Sequence, residues 1–391
     1  MTAGRARILS PAFLTAAVAN FLFFTNLSAF FLLPLHIKRL GATEVQLGLI
    51  MGAYSAVAIV CQPLVGAWVD RAGRRPFLLA GAALGVAASL AFAAAPDAMA
   101  LFPLWRALQG VAFSAYFVAN FALVVDLVPP DRRGQAIGIF GISGLTSTAV
   151  GPALGEAVVR AFGFRVFFAT AAAVAGAALI VSARLEAPLG GPRAERVALG
   201  RLVRGVLRAP RIPMALAFAF GLGMGAVFTF LPTHAAVLGV ERIGLFAVAY
   251  SLAALAVRAL GGRLIDTLGR RPVIIPALGL QAGAAALLAA LGPIVAGTGL
   301  SALPLLALTG LVAGAAHGFL YPALTALVID RTPAEARGQV LGVFSAFILT
   351  GNATGAIGFG WLVQALGHGP MFTILAGMLG AAGVLAFRLE R

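Results

Sequence analysis

Two short clusters of charged residues and glycines follow the same pattern at two places in this chain. Residues 66–76 read G-A-W-V-D-R-A-G-R-R-P, and residues 262–272 read G-R-L-I-D-T-L-G-R-R-P. Each cluster joins one long apolar segment to the next. Asp126 and Asp330 end two later apolar segments on the same side, and they could form ion pairs with Arg74 and Arg270. The repetition predicts a membrane protein built from two homologous halves.

Few ionisable side chains within the apolar segments could exchange a proton. Glu156 is the one carboxylate well inside such a segment, but Arg160 follows it by four residues, so an ordinary ion pair along one helix is the alternative. His317 breaks the internal symmetry, since Phe113 stands at the corresponding position. A histidine side chain has an unperturbed pKa of about 6.5, which suits proton coupling. The alternative for His317 is a structural hydrogen bond.

Two arginines lie inside the apolar segments. A charge at membrane depth costs about 2.5–3.5 kcal/mol on insertion scales, so each arginine needs partners. For Arg106 we expect Asn20 or Asn26, and a structural hydrogen-bond clamp is the alternative to a role in coupling. Arg258 lies four residues before Gly262 and is expected to join the second charged cluster.

The other polar groups of the apolar segments are candidates for a binding cavity. Such groups are normally few and set among apolar side chains. No carboxylate lies among them, so we expect neutral or weakly anionic ligands to be preferred over permanent cations. The predicted substrate-binding residues are Asn20, Asn26, Tyr54, Tyr116, Asn120, Tyr250, His317, Tyr321 and Asn352.

Several classes of function are excluded. Lys38 is the only lysine, so the nucleotide-binding loop G-x-x-x-x-G-K-[ST] cannot occur and direct ATP drive of that type is ruled out. The four histidines and the single cysteine show no metal-ligand spacing, so neither a metal nor another cofactor is expected. The net charge of +15 does not predict a nucleic-acid partner, because the positive residues follow the loops on one side. The sequence shows no arrangement of a nucleophile with a base that would indicate an enzyme.

The composition is that of an integral membrane protein, with 61% hydrophobic and only 10% charged residues. A spanning helix needs about 20 apolar residues, so 391 residues accommodate twelve spans. The predicted fold is an all-α membrane protein with twelve transmembrane helices in two pseudo-symmetric six-helix bundles. The predicted spans cover residues 12–35, 45–67, 77–96, 101–125, 136–159, 165–183, 213–236, 243–264, 273–295, 303–328, 340–363 and 371–388.

The bundles are assigned to residues 1–183 and 213–391, joined by a cytoplasmic linker at 184–212. Part of the linker, residues 195–208, could form an amphipathic helix on the membrane surface. Residues 126–135, D-L-V-P-P-D-R-R-G-Q, recur as residues 330–339, D-R-T-P-A-E-A-R-G-Q. This second repeat has an offset of 204 residues instead of 196, which we attribute to a longer loop at residues 292–301.

These patterns resemble the major facilitator superfamily, whose loop between helices 2 and 3 reads G-x-x-x-D-R-x-G-R-R. The first cluster matches every fixed position, and the second departs only at Thr267. The resemblance implies that Asp70 lies against the positive N-terminal end of helix 11 when the cytoplasmic side is closed. Such a contact would act as a latch that holds the cytoplasmic side closed. The alternative is that Asp70 is only a topological anchor. The implied gating residues are Gly66, Asp70, Arg71, Gly73, Arg74, Asp126, Arg258, Gly262, Asp266, Gly269, Arg270 and Asp330.

Two further motifs resemble those of proton-coupled exporters. Arg106 begins R-A-L-Q-G, which is similar to a superfamily motif tied to proton transfer. Gly151, Pro152 and Gly155 form G-P-A-L-G, which is similar to the motif of drug:proton antiporters. We expect the proline to kink the helix and the glycines to admit helix 8. The resemblance thus favours export, with Arg106, Glu156 and His317 as the candidate proton-coupling residues.

The prediction is a secondary transporter of the inner membrane that exports a small organic or amphiphilic compound against protons by alternating access. It looks closest to bacterial drug and sugar exporters. Its partners are then a small-molecule substrate, protons and the lipid bilayer, and it is expected to act as a monomer. The alternatives are metabolite uptake or facilitated diffusion by the same fold, and a non-transporting membrane protein that binds a ligand.

The distribution of positive charge predicts that both termini lie in the cytoplasm. With that orientation, 21 of the 28 Lys and Arg residues fall on the cytoplasmic side and five on the opposite side. Reporter fusions at Arg391 and near Pro96 should therefore report opposite sides of the membrane. A periplasmic signal from the fusion at Arg391 would refute either the number of spans or the orientation.

Overall fold

The computed structural model describes residues 9–129, 132–186, 209–333 and 337–389, without the side chains of residues 260–266 and 338. Over these residues the chain is helical and contains no strand. Most of the predicted linker, including the amphipathic helix expected at 195–208, lies outside the described residues.

The helices follow the predicted spans closely. The first begins directly after Ser10, whose side chain accepts a hydrogen bond from the backbone of Phe13 and so caps the helix. The helices are α1 (Pro11–Ala29), α2 (Leu33–Arg39), α3 (Glu44–Ala72), α4 (Arg74–Ala94), α5 (Phe102–Asp126), α6 (Arg133–Ala183), α7 (Arg211–Val237), α8 (Gly244–Thr267), α9 (Arg271–Thr298), α10 (Ala302–Asp330), α11 (Arg337–Leu366) and α12 (His368–Ala386).

Twelve spans can be counted in these helices. Among the described residues, ten helical stretches are long and apolar enough to cross a membrane, by length and composition. α1 and α2 form one such stretch, whereas the 51 residues of α6 contain two predicted spans, one on each side of Gly163. α8 adds the twelfth, with an apolar part at Gly244–Ala259. The predicted all-helical fold of twelve transmembrane helices is thereby confirmed.

The turns between helices repeat at matching positions in the two halves. Gly73 and Gly269 have φ angles of 88° and 89°, and Gly163 and Gly367 have φ angles of 78° and 85°. Glycine is favoured there, because a Cβ atom would be strained at positive φ. The charged motif contains the first pair only. The second pair, separated by the same 204 residues as the second repeat, shows that the internal symmetry extends to the turns inside each half.

The extra residues of the second half lengthen a helix and not a loop. α9 has 28 residues, whereas its counterpart α4 has 21. α9 continues through Gly292 and Pro293 to Thr298, so the loop predicted at residues 292–301 was wrong over most of its length. Glycine and proline are tolerated in membrane helices because neighbouring groups can satisfy the freed backbone. Gly299, with a φ of 67°, ends the helix.

By residue contacts the chain divides into two units. Unit 1 contains α1, the part of α3 from Val60 onward, and α4 to α6. Unit 2 contains residues 31–59, which include α2 and the first part of α3, together with α7 to α12. The bundle boundaries predicted from the repeat assign residues 31–59 to the first bundle. These predicted boundaries refer to the two halves of the sequence repeat, and the division of the chain into those bundles remains a prediction.

Glycines let the helices approach one another closely within each unit. In unit 2, a Cβ atom added at Gly225 of α7 would collide with the backbone of Asn352 in α11, and one at Gly314 of α10 would collide with the backbone of Tyr250 in α8. Such crossings are typical of membrane helices, where association depends on close packing rather than on the hydrophobic effect.

We predict opposite effects for the same substitution at two glycines of unit 2. A methyl group added to Gly377 of α12 would meet no atom within 4 Å, so Gly377→Ala should gain helix propensity, about 1 kcal/mol. Gly225→Ala should destabilise by about 1–3 kcal/mol, because the methyl group meets the backbone of α11. Thermal unfolding of the purified variants measures both, and equal unfolding temperatures would contradict this packing.

Candidate functional site

Each charged cluster contains an ion pair between described residues of its own unit. In unit 1, Arg74 Nε lies 2.9 Å from Asp126 Oδ2. In unit 2, Arg270 Nε lies 2.9 Å from Asp330 Oδ2. These are the two ion pairs that the repeat predicts. Each connects the start of one helix with the end of another, and since all four side chains are partly exposed, we expect each pair to contribute at most about 1 kcal/mol to stability.

The remaining residues of the first cluster lie at the end of α3. Asp70 and Arg71 are exposed, Gly73 makes the turn into α4, and a Cβ atom at Gly66 would meet nothing within 4 Å. In the second cluster, the side-chain positions of Gly262 and Asp266 lie outside the part of the chain that is described. The assignment of these residues to a latch remains a prediction.

In unit 1, two of the predicted binding residues are used to join helices. Asn20 of α1 donates a hydrogen bond to Ser143 Oγ of α6, at 2.8 Å. It also accepts one from Asn120 Nδ2 of α5, at 3.2 Å. Asn20 is 4% exposed and Asn120 is fully buried. Buried polar groups need such partners, so these asparagines have a structural role, and their role in binding remains a prediction.

Asn26 and Tyr116 are buried in the same way. Asn26 Nδ2 donates to Ser89 Oγ at 2.8 Å and to a backbone carbonyl of α6 at 2.7 Å. The Tyr116 hydroxyl lies 3.1 Å from Ser182 Oγ, and its ring stacks on Phe23 with the centroids 3.9 Å apart. Both residues lie in the contacts between α1, α4, α5 and α6, and their role in binding remains a prediction.

The coupling candidates of unit 1 interact with residues of their own helices. Arg106 is the fifth residue of α5, and its Nη1 donates to Gln109 Oε1 at 2.7 Å. Glu156 forms an ion pair of 2.8 Å with Arg160. For Glu156 this is the simple pair along one helix that the sequence offered as the alternative.

The G-P-A-L-G motif packs against α1. A Cβ atom at Gly151 would lie 2.7 Å from the carbonyl oxygen of Thr25, so this glycine admits α1, whereas we had expected the motif to admit helix 8. α6 continues through Pro152, and its backbone departs from helical values at Gly163, between its two spans. Gly155 lines a small cavity between α1 and α6. Gly163 is the turn between the two spans of α6, so the kink expected at the proline remains a prediction.

Unit 2 brings two tyrosines, a histidine and an arginine together between α8 and α10. The ring centroids of Tyr250 and His317 are 5.6 Å apart, and those of His317 and Tyr321 are 6.1 Å apart with nearly parallel planes. Arg258 interacts electrostatically with all three. His317 and Tyr321 share a face of α10 because they are four residues apart. We call Tyr250, Arg258, His317 and Tyr321 the Arg258 cluster.

Polar atoms of the Arg258 cluster lack hydrogen-bond partners among the described residues. They are the Tyr250 hydroxyl, Arg258 Nε and His317 Nδ1. Tyr250 is only 4% exposed, whereas Tyr321 is 36% exposed. The cluster therefore combines buried, unused hydrogen-bonding groups with an accessible side. The sequence identified three of its members as binding residues but grouped Arg258 with the latch, because spacing alone does not show which face of α8 an arginine occupies.

Aromatic rings that were not predicted from the sequence surround the cluster. Phe220 of α7 lies 5.2 Å from His317, Phe228 lies 5.4 Å from Tyr250, and Phe344 of α11 lies 6.4 Å from Tyr321, all between ring centroids. Phenylalanines are frequent in this chain, with 28 residues, so their number gave no signal of this site.

The last two predicted binding residues lie where α3 meets α11 within unit 2. Asn352 Oδ1 accepts a hydrogen bond of 2.7 Å from Ser55 Oγ. Tyr54, beside Ser55 on α3, is half-buried. A Cβ atom at Gly48 would lie 2.5 Å from the carbonyl oxygen of Ala356, so glycine lets α3 approach α11. Asn352 therefore joins helices, like the asparagines of unit 1.

A pair of histidines, separate from the Arg258 cluster, lies at one end of unit 2. His234 and His368 stack with their centroids 5.2 Å apart. His234 Nε2 lies 3.0 Å from the carbonyl oxygen of Leu288, and His368 Nε2 lies 3.0 Å from Thr233 Oγ1. In the part of the chain that the structure describes, no group of three or more His, Cys, Asp or Glu residues could hold a metal ion.

Comparison with known proteins gives consistent matches. The family model described as Major Facilitator Superfamily matches residues 13–301 and 239–391. The Multidrug resistance protein MdtG of Salmonella arizonae is 25% identical over 370 residues, which cover 89% of this chain and 87% of that protein. MdtG of Citrobacter koseri is 26% identical over 362 residues, with 89% and 86% covered.

Three solved structures share the fold. The nucleoside transporter NupG has a TM-score of 0.76 at 15% identity, with 97% of this chain and 100% of that chain covered. The human organic anion transporter MFSD10 (TETRAN) has a TM-score of 0.71 at 20% identity, with 96% and 100% covered. A D-xylose-proton symporter has a TM-score of 0.77 at 18% identity, with 97% of each chain covered.

We predict that the Arg74–Asp126 ion pair matters more for transport than for stability. Asp126→Asn should change the free energy of unfolding by no more than about 1 kcal/mol, because the pair is partly exposed. It should slow the energised efflux of an uncharged fluorescent dye. Exchange of the two charges, Arg74→Asp with Asp126→Arg, should restore part of the rate, and Asp97→Asn at an exposed loop position is the control. Unchanged efflux in Asp126→Asn would leave the pair as an anchor only.

Proposed function

The chain belongs to the major facilitator superfamily, and we propose that it is a proton-coupled exporter of small organic or amphiphilic compounds in the inner membrane. The observation that carries this proposal is the pair of matching Arg–Asp bridges, one in each unit, at corresponding turns of the repeat. If two homologous halves rock around a central site, we expect each half to contain an equivalent ion pair that holds its own helices together. The transporter is proposed to act as a monomer, with both termini in the cytoplasm.

The direction of transport rests on two further observations. Relatives that match 89% of the chain are multidrug resistance proteins. The G-P-A-L-G motif of α6, with Gly151 closely packed on α1, resembles the motif of drug:proton antiporters. Both favour export. Uptake or facilitated diffusion by the same fold is the competing function within transport.

The chemistry of the cargo follows from the charges of the described interior. Arg258 adds a positive charge to the cluster in unit 2, and the one carboxylate well inside a span, Glu156, is already paired with Arg160. A permanent cation would lose its hydration without gaining a counter-charge. We therefore expect neutral or weakly anionic compounds to be transported in preference to permanent cations.

Proton coupling is assigned first to His317. Its Nδ1 atom has no hydrogen-bond partner among the described residues, whereas Glu156 is already paired with Arg160, and the guanidinium group of Arg106 does not lose its proton in proteins. Histidine is also the side chain whose ordinary titration falls between about pH 5 and 8. Glu156 is the second candidate.

We predict that His317→Gln keeps a polar group but removes the response to pH. In inverted vesicles with an imposed pH gradient, wild-type protein should accumulate an uncharged compound and should transport a quaternary ammonium dye much less. The variant should show a flattened pH dependence of transport between about pH 5 and 8 while still binding the compound. The control is the same assay in vesicles whose gradient has been collapsed.

The contrary outcomes separate the competing functions. Transport by wild-type protein that does not depend on the pH gradient would indicate facilitated diffusion. Accumulation of the compound only in right-side-out vesicles would indicate uptake. Binding without any transport would indicate a non-transporting membrane protein. Strong, specific transport of the dye would refute the charge argument, and an unchanged pH profile in His317→Gln would move coupling to Glu156 or away from protons.

A further inference from the structure

We propose that the Arg258 cluster is a binding subsite for the carboxylate of an aromatic organic acid, with Arg258 as the anion receptor. This inference deepens the proposed function, on which it rests, by naming the class of cargo. It also gives Arg258 a role different from the latch to which the sequence assigned it. Three steps support the proposal, and they concern charge, hydrogen bonding and shape.

The first step is the position of the positive charge. Arg258 is the fifteenth of 24 residues in α8, which places its backbone about 21 Å from one end of the helix and about 14 Å from the other. The carboxylate nearest in sequence, Asp266, is about 12 Å further along by helical rise. The electrostatic partners of Arg258 among the described groups are Tyr250, His317 and Tyr321, none of which is a carboxylate. A charge at this depth normally marks a functional site and needs a counter-charge.

The second step is the surplus of hydrogen-bond donors. An arginine side chain only donates, and Arg258 Nε has no partner among the described residues. The Tyr250 hydroxyl, which is 4% exposed, also lacks one. His317 Nδ1 can donate in one tautomer. A carboxylate supplies the missing acceptors, since it has two oxygen atoms that only accept and that match the fork of a guanidinium group.

The third step is the shape of the surroundings. His317 and Tyr321 stack in parallel, and Phe220 lies within 5.2 Å of one ring and 6.3 Å of the other. Phe344 stands beside Tyr321 at 6.4 Å. Flat aromatic walls suit a planar apolar body, which packs by offset stacking or edge contacts. Tyr321 is 36% exposed, so the cluster is accessible from its side. An aromatic ring that carries one carboxylate satisfies both the walls and the charge.

The test compares two probes that differ only in charge, 2-naphthoate and 2-naphthamide. Their affinities for the purified full-length protein in lipid nanodiscs are measured by calorimetry. Wild-type protein should bind naphthoate more tightly. Arg258→Gln should weaken naphthoate binding about 10- to 100-fold, as expected for hydrogen bonds to a charged group, and should change naphthamide binding by less than about 3-fold. Tyr250→Phe should weaken naphthoate binding about 3- to 10-fold.

Two variants serve as controls. Arg242→Gln removes the same charge from an exposed position of unit 2 and should leave both affinities unchanged. Arg258→Lys keeps the charge but loses the fork, so it should retain part of the preference for naphthoate. Unfolding temperatures show whether the variants are folded. Arg258→Gln should unfold at a higher temperature than wild type, because it removes a partly buried charge that has no counter-charge among the described residues.

Three outcomes would overturn the subsite. They are equal affinity of wild-type protein for the two probes, unchanged naphthoate binding in Arg258→Gln, and a thermal stabilisation by sulfate equal to that by naphthoate, which would indicate a site for inorganic anions. Failure of the proposed function looks different. In that case naphthoate would bind through Arg258 as described, but vesicles would export neither probe.

Discussion

Close contact between helix backbones is the interaction on which the rest of this structure depends. In a bilayer no hydrophobic effect draws one apolar helix to another, so association requires small residues at the crossings. Gly314 illustrates the consequence, because its missing side chain lets α10 reach the backbone of Tyr250. The next turn of α10 carries His317, which is thereby brought beside Tyr250. The geometry of the Arg258 cluster is thus a product of helix packing and not of a loop that could adapt.

The two halves of the repeat have kept the same framework and diverged in their use of polar groups. Both retain the Arg–Asp bridge and the glycine at the turn that precedes it. In unit 1, buried asparagines hold helices together through side-chain hydrogen bonds. In unit 2, polar groups of the Arg258 cluster are buried without partners among the described residues. Unit 1 also has buried polar atoms without a hydrogen-bond partner, such as Asn26 Oδ1 and Asn120 Oδ1, so the difference is that three such atoms of unit 2 belong to one cluster.

The sequence predicted the helices well because hydropathy and turn residues mark the ends of membrane spans. The ion pairs of Arg74 and Arg270 were also predictable, since the repeat shows each arginine and its aspartate twice. The faces of the helices were not predictable. Membrane helices are apolar on all sides, so the pattern of residues does not show whether Asn20 faces a neighbouring helix or a cavity. For the same reason the partner of Gly151 and the surroundings of Arg258 emerged only from the structure.

The position of Arg258 also has an electrical consequence. If the halves reorient around the site, the empty site carries a positive charge through part of the membrane potential, whereas a site that holds a carboxylate moves no net charge. An elementary charge that crosses the whole membrane is worth about 2.3 kcal/mol per 100 mV. An inside-negative potential would then return the empty site toward the cytoplasm and leave the loaded step unopposed. Export of an organic anion by such a carrier would then move net charge across the membrane. The membrane potential would drive it as well as any proton gradient.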